Sequence, residues 1–231
     1  LDLGRTYCRC QDLPYDFFLT SDLPLGKGMA SSSADICAVL AAVAAVCQKS
    51  LSQQDIGRLA ASIEPTDGVF CQGMAMIQPE TGAIWHVFPE VPSLAIAVFD
   101  VGGTVDTVAF HRVHRDRIRP VQAPLFLGLQ LLTASLTDRH LGLAASLSAL
   151  ANQPWLPKPD FTAFLQAALD HPAVVGVNVA HSGTVAGVFF GCEASPASRE
   201  AVIDTLCQQF PQWSYRETVQ LQPGGIFTEI R

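Results

Sequence analysis

The sequence predicts an α+β fold of two layers, in which short strands alternate with helices. Apolar residues make up 49% of the 231 residues and charged residues only 15%, which is typical of a compact globular chain. Apolar residues at helical spacing dominate the first sixty residues, and short runs of β-forming residues follow them. The chain is long enough for one large domain or two small ones.

The elements of the first sixty residues follow from local signals. The run DFFLT at residues 16–20 predicts a short strand before a glycine-rich loop. The apolar segment after that loop predicts a helix to about residue 49, with Ser32 or Ser33 as its N-cap.

A second helix is predicted from Ser52, which forms a capping-box pair with Asp55. Alternation of β-forming and turn residues then predicts strands, and returns to helical spacing predict helices. The predicted strands are 74–78, 84–88, 94–100, 174–180, 184–190 and 215–220, and the predicted helices are 125–135, 141–151, 161–169 and 198–210.

Charge and cysteine content exclude several classes of function. The net charge is −7 and the one basic cluster is small, so we expect no binding to nucleic acid or anionic membranes. The longest apolar run, 36–47, is shorter than the ~18–20 residues that span a bilayer. The seven cysteines show no zinc-site spacing, which predicts free thiols in a reducing cytoplasm, with Cys8 and Cys10 on the same side of a strand.

The segment PLGKGMASSSAD, residues 24–35, carries the strongest functional signal. Gly26 and Gly28 allow close approach of the backbone, Lys27 offers a movable cation, and the serines 31–33 offer hydroxyl and N–H groups at a helix start. The segment matches neither a Walker A loop nor a GxGxxG fingerprint. Two interpretations remain open from the residues alone: a phosphate cradle, or an ordinary turn before a serine-capped helix.

This segment closely resembles the P-x-x-x-G-L-G-S-S-A signature of the GHMP kinases, from which Met29, Ala30 and Ser33 depart mildly. The resemblance implies that the loop wraps the phosphates of ATP and that Ser32 binds Mg²⁺. The implied phosphate-binding residues are Pro24, Gly26, Lys27, Gly28, Met29, Ala30, Ser31, Ser32 and Ser33, with Lys27 also assisting catalysis.

Two further segments follow in the order that the family has them. In IEPTDG, residues 63–68, the resemblance implies Glu64 as a Mg²⁺ ligand, Asp67 as the catalytic carboxylate on the acceptor hydroxyl, and Thr66 on the substrate side. A helix end followed by a polar turn is the alternative interpretation.

The third segment is NVAHSGTVAG, residues 178–187, where the resemblance implies that His181, Ser182 and Gly183 lie on the substrate side. A plain β-hairpin is the alternative. The segment DVGGTVDT, residues 100–107, fits either part of an acceptor pocket or a simple Gly-Gly turn.

The resemblance also implies an architecture. We expect the GHMP kinase fold, with a ribosomal protein S5 domain 2-like N-terminal part over residues 1–110 that binds ATP, and a ferredoxin-like C-terminal part over residues 111–231. The residues before Pro24 are too few for the family's first motif, so the N-terminal strands are expected to be missing.

Within the family, the three motifs and the closing QPGG at 222–225 most resemble the members that phosphorylate L-threonine for cobalamin biosynthesis. We therefore expect an ATP- and Mg²⁺-dependent cytoplasmic kinase of a small hydroxy-metabolite, acting as a monomer or homodimer. Homoserine or an isoprenoid-type alcohol is the alternative acceptor. The alternative from another class is a non-catalytic protein that binds a nucleotide or metabolite.

Overall fold

A computed structural model of the chain describes residues 1–9, 16–88, 90–106 and 123–229. Cys10 lies outside these ranges, as does the small basic cluster of the sequence, which consists of Arg112, Arg115, Arg117 and Arg119. The boundary expected between residues 110 and 111 also lies outside them and stays a prediction.

The chain forms two compact units, and each unit is made of segments that are not continuous in the sequence. The first unit comprises Leu1–Pro24, Ala30–Val91 and Gln222–Arg231, and the second comprises Leu25–Met29 and Pro92–Leu221. The predicted phosphate loop is therefore divided: five of its residues belong to the second unit, while the helix that follows belongs to the first.

In its described residues, the first unit contains three helices, a 3-10 turn and a β-hairpin. In chain order they are α1 (Asp2–Cys8), α2 (Ser31–Val46), α3 (Gln53–Ala61), the 3-10 turn (Gly68–Phe70), β1 (Met74–Gln78) and β2 (Ala83–Phe88). Helix α2 packs against both α1 and α3, and the two strands pair antiparallel. One core cluster consists of Cys37, Leu40, Ile56, Leu59, Ala60, Phe70 and Cys71, and a smaller one of Cys8, Val43 and Ala44.

The capping box of α3 is confirmed. The Ser52 hydroxyl accepts a hydrogen bond from the Asp55 N–H at 3.1 Å, and the Ser52 N–H donates to the Asp55 carboxylate at 3.3 Å. Both bonds satisfy N–H groups that have no acceptor within the helix. This local signal alone fixes the start of the helix.

Three expectations for the first unit are wrong. Residues 16–20 form no strand, and Phe18 is 93% exposed, because β-forming residues make a strand only where another strand pairs with them. Cys8 lies at the end of helix α1 and not on a strand. Helix α2 has Ala30, in a left-handed conformation with φ 58°, as its N-cap instead of Ser32 or Ser33.

The second unit is a four-stranded sheet with helices. Its elements are β3 (Ala95–Asp100), α4 (Ala123–Ala134), α5 (Asp138–Asn152), α6 (Phe161–Leu169), β4 (Val174–Val179), β5 (Val185–Phe190), α7 (Pro196–Gln209) and β6 (Ser214–Gln220). The strand order is β4-β5-β3-β6, and every neighbouring pair is antiparallel.

This order confirms the ferredoxin-like expectation. Strands β3 and β5 are central, and β4 and β6, each of which adjoins a helical connection, occupy the edges. Strands β3 and β5 carry almost continuous runs of buried residues, as expected for the centre of a sheet covered by helices. The aromatic part of the core groups Phe99, Phe164, Phe190 and Trp213, each no more than 1% exposed.

Among the described residues, no helix is long and apolar enough to span a bilayer, and the apolar run 36–47 lies largely in α2. Five of the described cysteines are free thiols: Cys8, Cys37, Cys71, Cys192 and Cys207. Burial raises the pKa of the Cys37 thiol to about 11, which keeps it protonated and unreactive at neutral pH.

Candidate active site

The N-terminus of α2 is built without a side-chain cap. The N-cap residue, Ala30, adopts the left-handed conformation and makes no side-chain hydrogen bond to the first turn of the helix. The N-terminal N–H groups of a helix lack acceptors within it, and the helix dipole adds partial positive charge there. This end of α2 therefore has the chemistry of an anion site.

The three serines at this helix start differ in exposure and partners. Ser32 is exposed and Ser31 is half-buried, whereas Ser33 is only 3% exposed. The Ser33 hydroxyl accepts a hydrogen bond from the Asp67 N–H at 3.0 Å. The side chain of one serine thus joins the turn of EPTDG to the start of α2.

The turn itself is anchored from a second side. Thr66 is 2% exposed, and its N–H donates to the Pro79 carbonyl at 3.0 Å. The flanking Asp67 side chain is exposed and that of Glu64 is half-buried. The buried threonine and serine therefore fix the backbone of the turn while the acidic residues lie nearer to solvent.

In the second unit, the loop at residues 25–29 packs against the turn at residues 180–184. The Lys27 carbonyl accepts a hydrogen bond from the Thr184 N–H at 3.1 Å. Gly28 has φ +77°, and a Cβ added to it would lie 2.6 Å from the Ala180 Cβ. A Cβ on Gly183 would collide with the Lys27 carbonyl. Only glycine fits at these two positions.

A buried carboxylate lies beneath this contact. Asp100, at the end of β3, is 2% exposed, and each of its oxygens has two donors. One oxygen accepts from the Gly102 N–H at 2.9 Å and the Thr184 hydroxyl at 2.7 Å. The other accepts from the Lys27 ammonium at 2.8 Å and the Arg216 guanidinium at 2.9 Å.

The surroundings of Asp100 keep it ionised. Burial alone would raise the pKa of this carboxyl, but the hydrogen bonds from Lys27, Thr184, Gly102 and Arg216 outweigh it and lower the pKa to about 2. The carboxylate is therefore charged throughout the neutral range.

The other end of the same turn is held by a buried lysine. Lys158 is 6% exposed, and its ammonium donates to the Ala180 carbonyl at 2.9 Å. The Asn152 amide donates to the His181 carbonyl at 3.3 Å, and Ser148 shares a 3.1 Å hydrogen bond with the His181 ring. Burial lowers the pKa of Lys158 to about 8.

Within each unit the structure brings together part of the predicted set. Ser33, Thr66 and Asp67 are joined in the first unit, and Lys27 and Gly28 contact Ala180 and Gly183 in the second. Sequence reasoning missed the roles of Asp100, Thr184, Arg216 and Lys158. The available signal for Asp100 was a carboxylate at a strand end, two residues before the pair Gly102-Gly103.

Comparison with known proteins identifies the family of the chain. Residues 3–75 match the family model "GHMP kinases N terminal domain". The chain is 35% identical to an L-threonine kinase of Citrobacter freundii over 94% of this chain and 75% of that protein. It is also 35% identical to an L-threonine kinase of Salmonella typhimurium over 89% of this chain and 70% of that protein.

Solved structures agree on the fold. A homoserine kinase from Cytophaga hutchinsonii superimposes with a TM-score of 0.62 at 16% identity, covering 87% of this chain and 67% of that one. The chain belongs to the GHMP kinases. It is accordingly a kinase that uses ATP and transfers phosphate to an alcohol group.

Proposed function

We propose that this kinase phosphorylates the hydroxyl of L-threonine to give L-threonine O-3-phosphate for cobalamin biosynthesis. The similarity to two L-threonine kinases at 35% identity, over most of the chain, supports this acceptor. The resemblance of the sequence motifs supports the place in cobalamin biosynthesis and a cytoplasmic location. We keep a monomer or homodimer as the expected assembly.

The donor end of the reaction rests on the glycine loop and on the N-terminus of α2. Phosphoryl transfer has a loose transition state, so positioning and charge neutralisation account for most of the catalysis. The proposed phosphate-binding residues are Pro24 and residues 26–33. Support comes from the uncapped start of α2 and from the positive φ of Gly26 and Gly28.

The proposed metal ligands suit Mg²⁺ by their chemistry. Ser32 offers a hydroxyl and Glu64 a carboxylate, and Mg²⁺ prefers oxygen ligands while keeping phosphate and water among them. In the described part of the chain no group of three or more His, Cys, Asp or Glu could hold a metal by itself. A partial set of this kind fits an ion that arrives with ATP, and Mg²⁺ supplies neutralisation of the phosphate charge when bound.

Asp67 is the proposed catalytic residue, which orients the acceptor hydroxyl and accepts its proton late in the transfer. The observation that carries this proposal is the hydrogen bond from the Asp67 N–H to the buried Ser33 hydroxyl, because it fixes the carboxylate-bearing turn to the helix that starts at the serines. Thr66, His181, Ser182 and Gly183 remain the proposed residues on the substrate side.

Asp67→Asn tests the role of this carboxylate. We expect kcat with ATP and L-threonine to fall by about 100-fold or more, with the KM for ATP within about threefold, because the lost group acts on the acceptor. Steady-state ADP release measures both constants. The matched control is Asp22→Asn, an exposed aspartate of the same unit, which should leave kcat unchanged. Unchanged turnover in Asp67→Asn would remove this residue from the mechanism.

The same assay on the unsubstituted protein decides the acceptor. L-threonine should give the highest kcat/KM in a panel with L-homoserine and an isoprenoid-type alcohol, and a preference for another member would replace threonine. Thermal stabilisation by ATP with no product from any member would favour the non-catalytic alternative.

A further inference from the structure

Asp100 joins four segments that are far apart in the sequence. Its donors come from the turn after β3, the loop at 25–29, the turn at 180–184 and strand β6. Each carboxylate oxygen has two donors, so the hydrogen-bonding capacity of the buried group is filled. The side chain is therefore a junction, since no one of these segments can move without breaking a bond to it.

Lys27 is held at both of its ends. Its ammonium donates to the Asp100 carboxylate at 2.8 Å and to the Gly103 carbonyl at 2.7 Å, and its side chain is only 18% exposed. Its own carbonyl accepts from the Thr184 N–H. The side chain that the sequence offers as a movable cation is thus part of the internal structure of the second unit.

Moving the Lys27 ammonium onto a phosphate would break the shortest ion pair of Asp100. Removing one partner of a buried ion pair costs more than the pair contributes, because a charge is left without compensation. Arg216, whose side chain is 53% exposed, would then be the remaining cation on that carboxylate. The geometry favours a fixed Lys27.

We propose that Asp100 is a positioning residue of the kinase reaction, which uses Lys27 and Thr184 to fix the loop at 25–29 in its phosphate-binding form. This inference rests on the proposed function in one respect, that the loop binds the phosphates of ATP. In this assignment the side chain of Lys27 fixes the loop, and the contribution of Lys27 to phosphate binding is made by its backbone. The lowered pKa of Asp100 agrees with a junction that stays charged at all physiological pH values.

A double-mutant cycle with Asp100→Asn and Lys27→Met separates the two roles of Lys27. ATP binding is measured by calorimetry without acceptor, and kcat and KM with L-threonine. If Lys27 acts through the loop, each single variant should weaken ATP binding about tenfold, and the double variant should be no weaker than the worse single one. The matched control, Asp204→Asn on the exposed face of α7, should leave the ATP Kd unchanged.

Hydrogen exchange provides a readout without nucleotide. In Asp100→Asn and Lys27→Met, the amides of residues 25–29 and 180–184 should exchange at least about tenfold faster, while those of α3 in the other unit should not change. Thr184→Val, which removes one donor and leaves both ion pairs, should shift the ATP Kd in the same direction by about threefold. It also provides a test if Asp100→Asn does not fold.

An ATP Kd within about twofold of the unsubstituted value in Asp100→Asn or Thr184→Val would overturn the inference, as would additive losses in the cycle. Either result can occur with full threonine-dependent turnover, which leaves the proposed function intact. Conversely, the unsubstituted protein could show no turnover of threonine while the variants of the cycle lose ATP binding non-additively. That result would contradict the proposed acceptor and support the positioning role of Asp100.

Discussion

The turn at residues 180–184 is held at its two ends by buried side chains of opposite charge. The two ends differ in how the buried charge is compensated. Asp100 contacts two cations, and its hydrogen bonds lower its pKa to about 2. Lys158 donates to a neutral carbonyl, and burial lowers its pKa to about 8. The acid is stabilised in its charged form and the base is destabilised in its charged form.

The lowered pKa of each group gives the pH dependence the same sign at both ends of the turn, but over different ranges of pH. The folded pKa of each group is below its ordinary value, so the unfolded chain binds more protons and stability rises with pH in both cases. For Asp100 the favourable contribution is present above about pH 4 and is lost as the pH falls toward 2. For Lys158 the penalty is present below about pH 8 and is relieved as the pH rises above it.

The largest effect on stability is expected from removing the carboxylate of Asp100 at one end of the turn. Asp100→Asn leaves two cations without their carboxylate, and we expect the free energy of unfolding at pH 7 to fall by about 3 kcal/mol. Urea unfolding followed by circular dichroism measures it. The difference between variant and unsubstituted protein should shrink between pH 4 and pH 2. A difference that stays constant to pH 2 would contradict the ionic account.

A smaller effect of opposite sign is expected at the basic end. Lys158→Met keeps the apolar stem and removes a charge that burial disfavours, while one hydrogen bond to Ala180 is lost. We expect the free energy of unfolding at pH 7 to rise by about 1 kcal/mol, since apolar replacement of buried charge is often neutral or stabilising.

Thermal unfolding at pH 7 and pH 9.5 checks the prediction for Lys158. The gain should decrease at the higher pH, where the lysine of the unsubstituted protein is mostly neutral in the folded state. If Lys158→Met lost as much stability at pH 7 as Asp100→Asn does, the charge of Lys158 would stabilise the fold as that of Asp100 does. That result would contradict the difference described between the two ends of the turn.

The smallest effect is expected from Ser148→Ala, which removes the hydroxyl that bonds to the His181 ring. The hydroxyl makes a single exposed hydrogen bond to the ring, so the loss should be about 0.5 kcal/mol. Urea unfolding at pH 6 and pH 9 measures it. A loss that exceeds the gain from Lys158→Met would place the main support of this end on α5 instead.

Features coded within a few residues could be predicted from the sequence. The capping box of Ser52 and Asp55 and the bounds of β1 and α6 depend on neighbours in the chain, and the structure agrees with them. The wrong strand at 16–20 has β-forming residues without a partner strand. The N-cap of α2 lies at Ala30 because the backbone turns left-handed before the serines begin.

The polar supports of the site could not be predicted in the same way. Asp100 acquires its role from partners at residues 27, 184 and 216. These partners are too distant in sequence for a local pattern to indicate them. Lys158 lies between two prolines, which predicts a lysine in a solvated loop. In the structure, however, it is only 6% exposed. The role of a residue whose partners are distant in sequence can be assigned only once the fold is known.

The junction at Asp100 also has a consequence for the order of folding. Its bonds to Thr184 and Arg216 close chain separations of 84 and 116 residues. Closing loops of this length costs conformational entropy, and contacts between residues so distant in sequence slow folding. The loop at 25–29 is synthesised before β6, so the set of bonds to the carboxylate that fixes it is complete only when that later strand is in place.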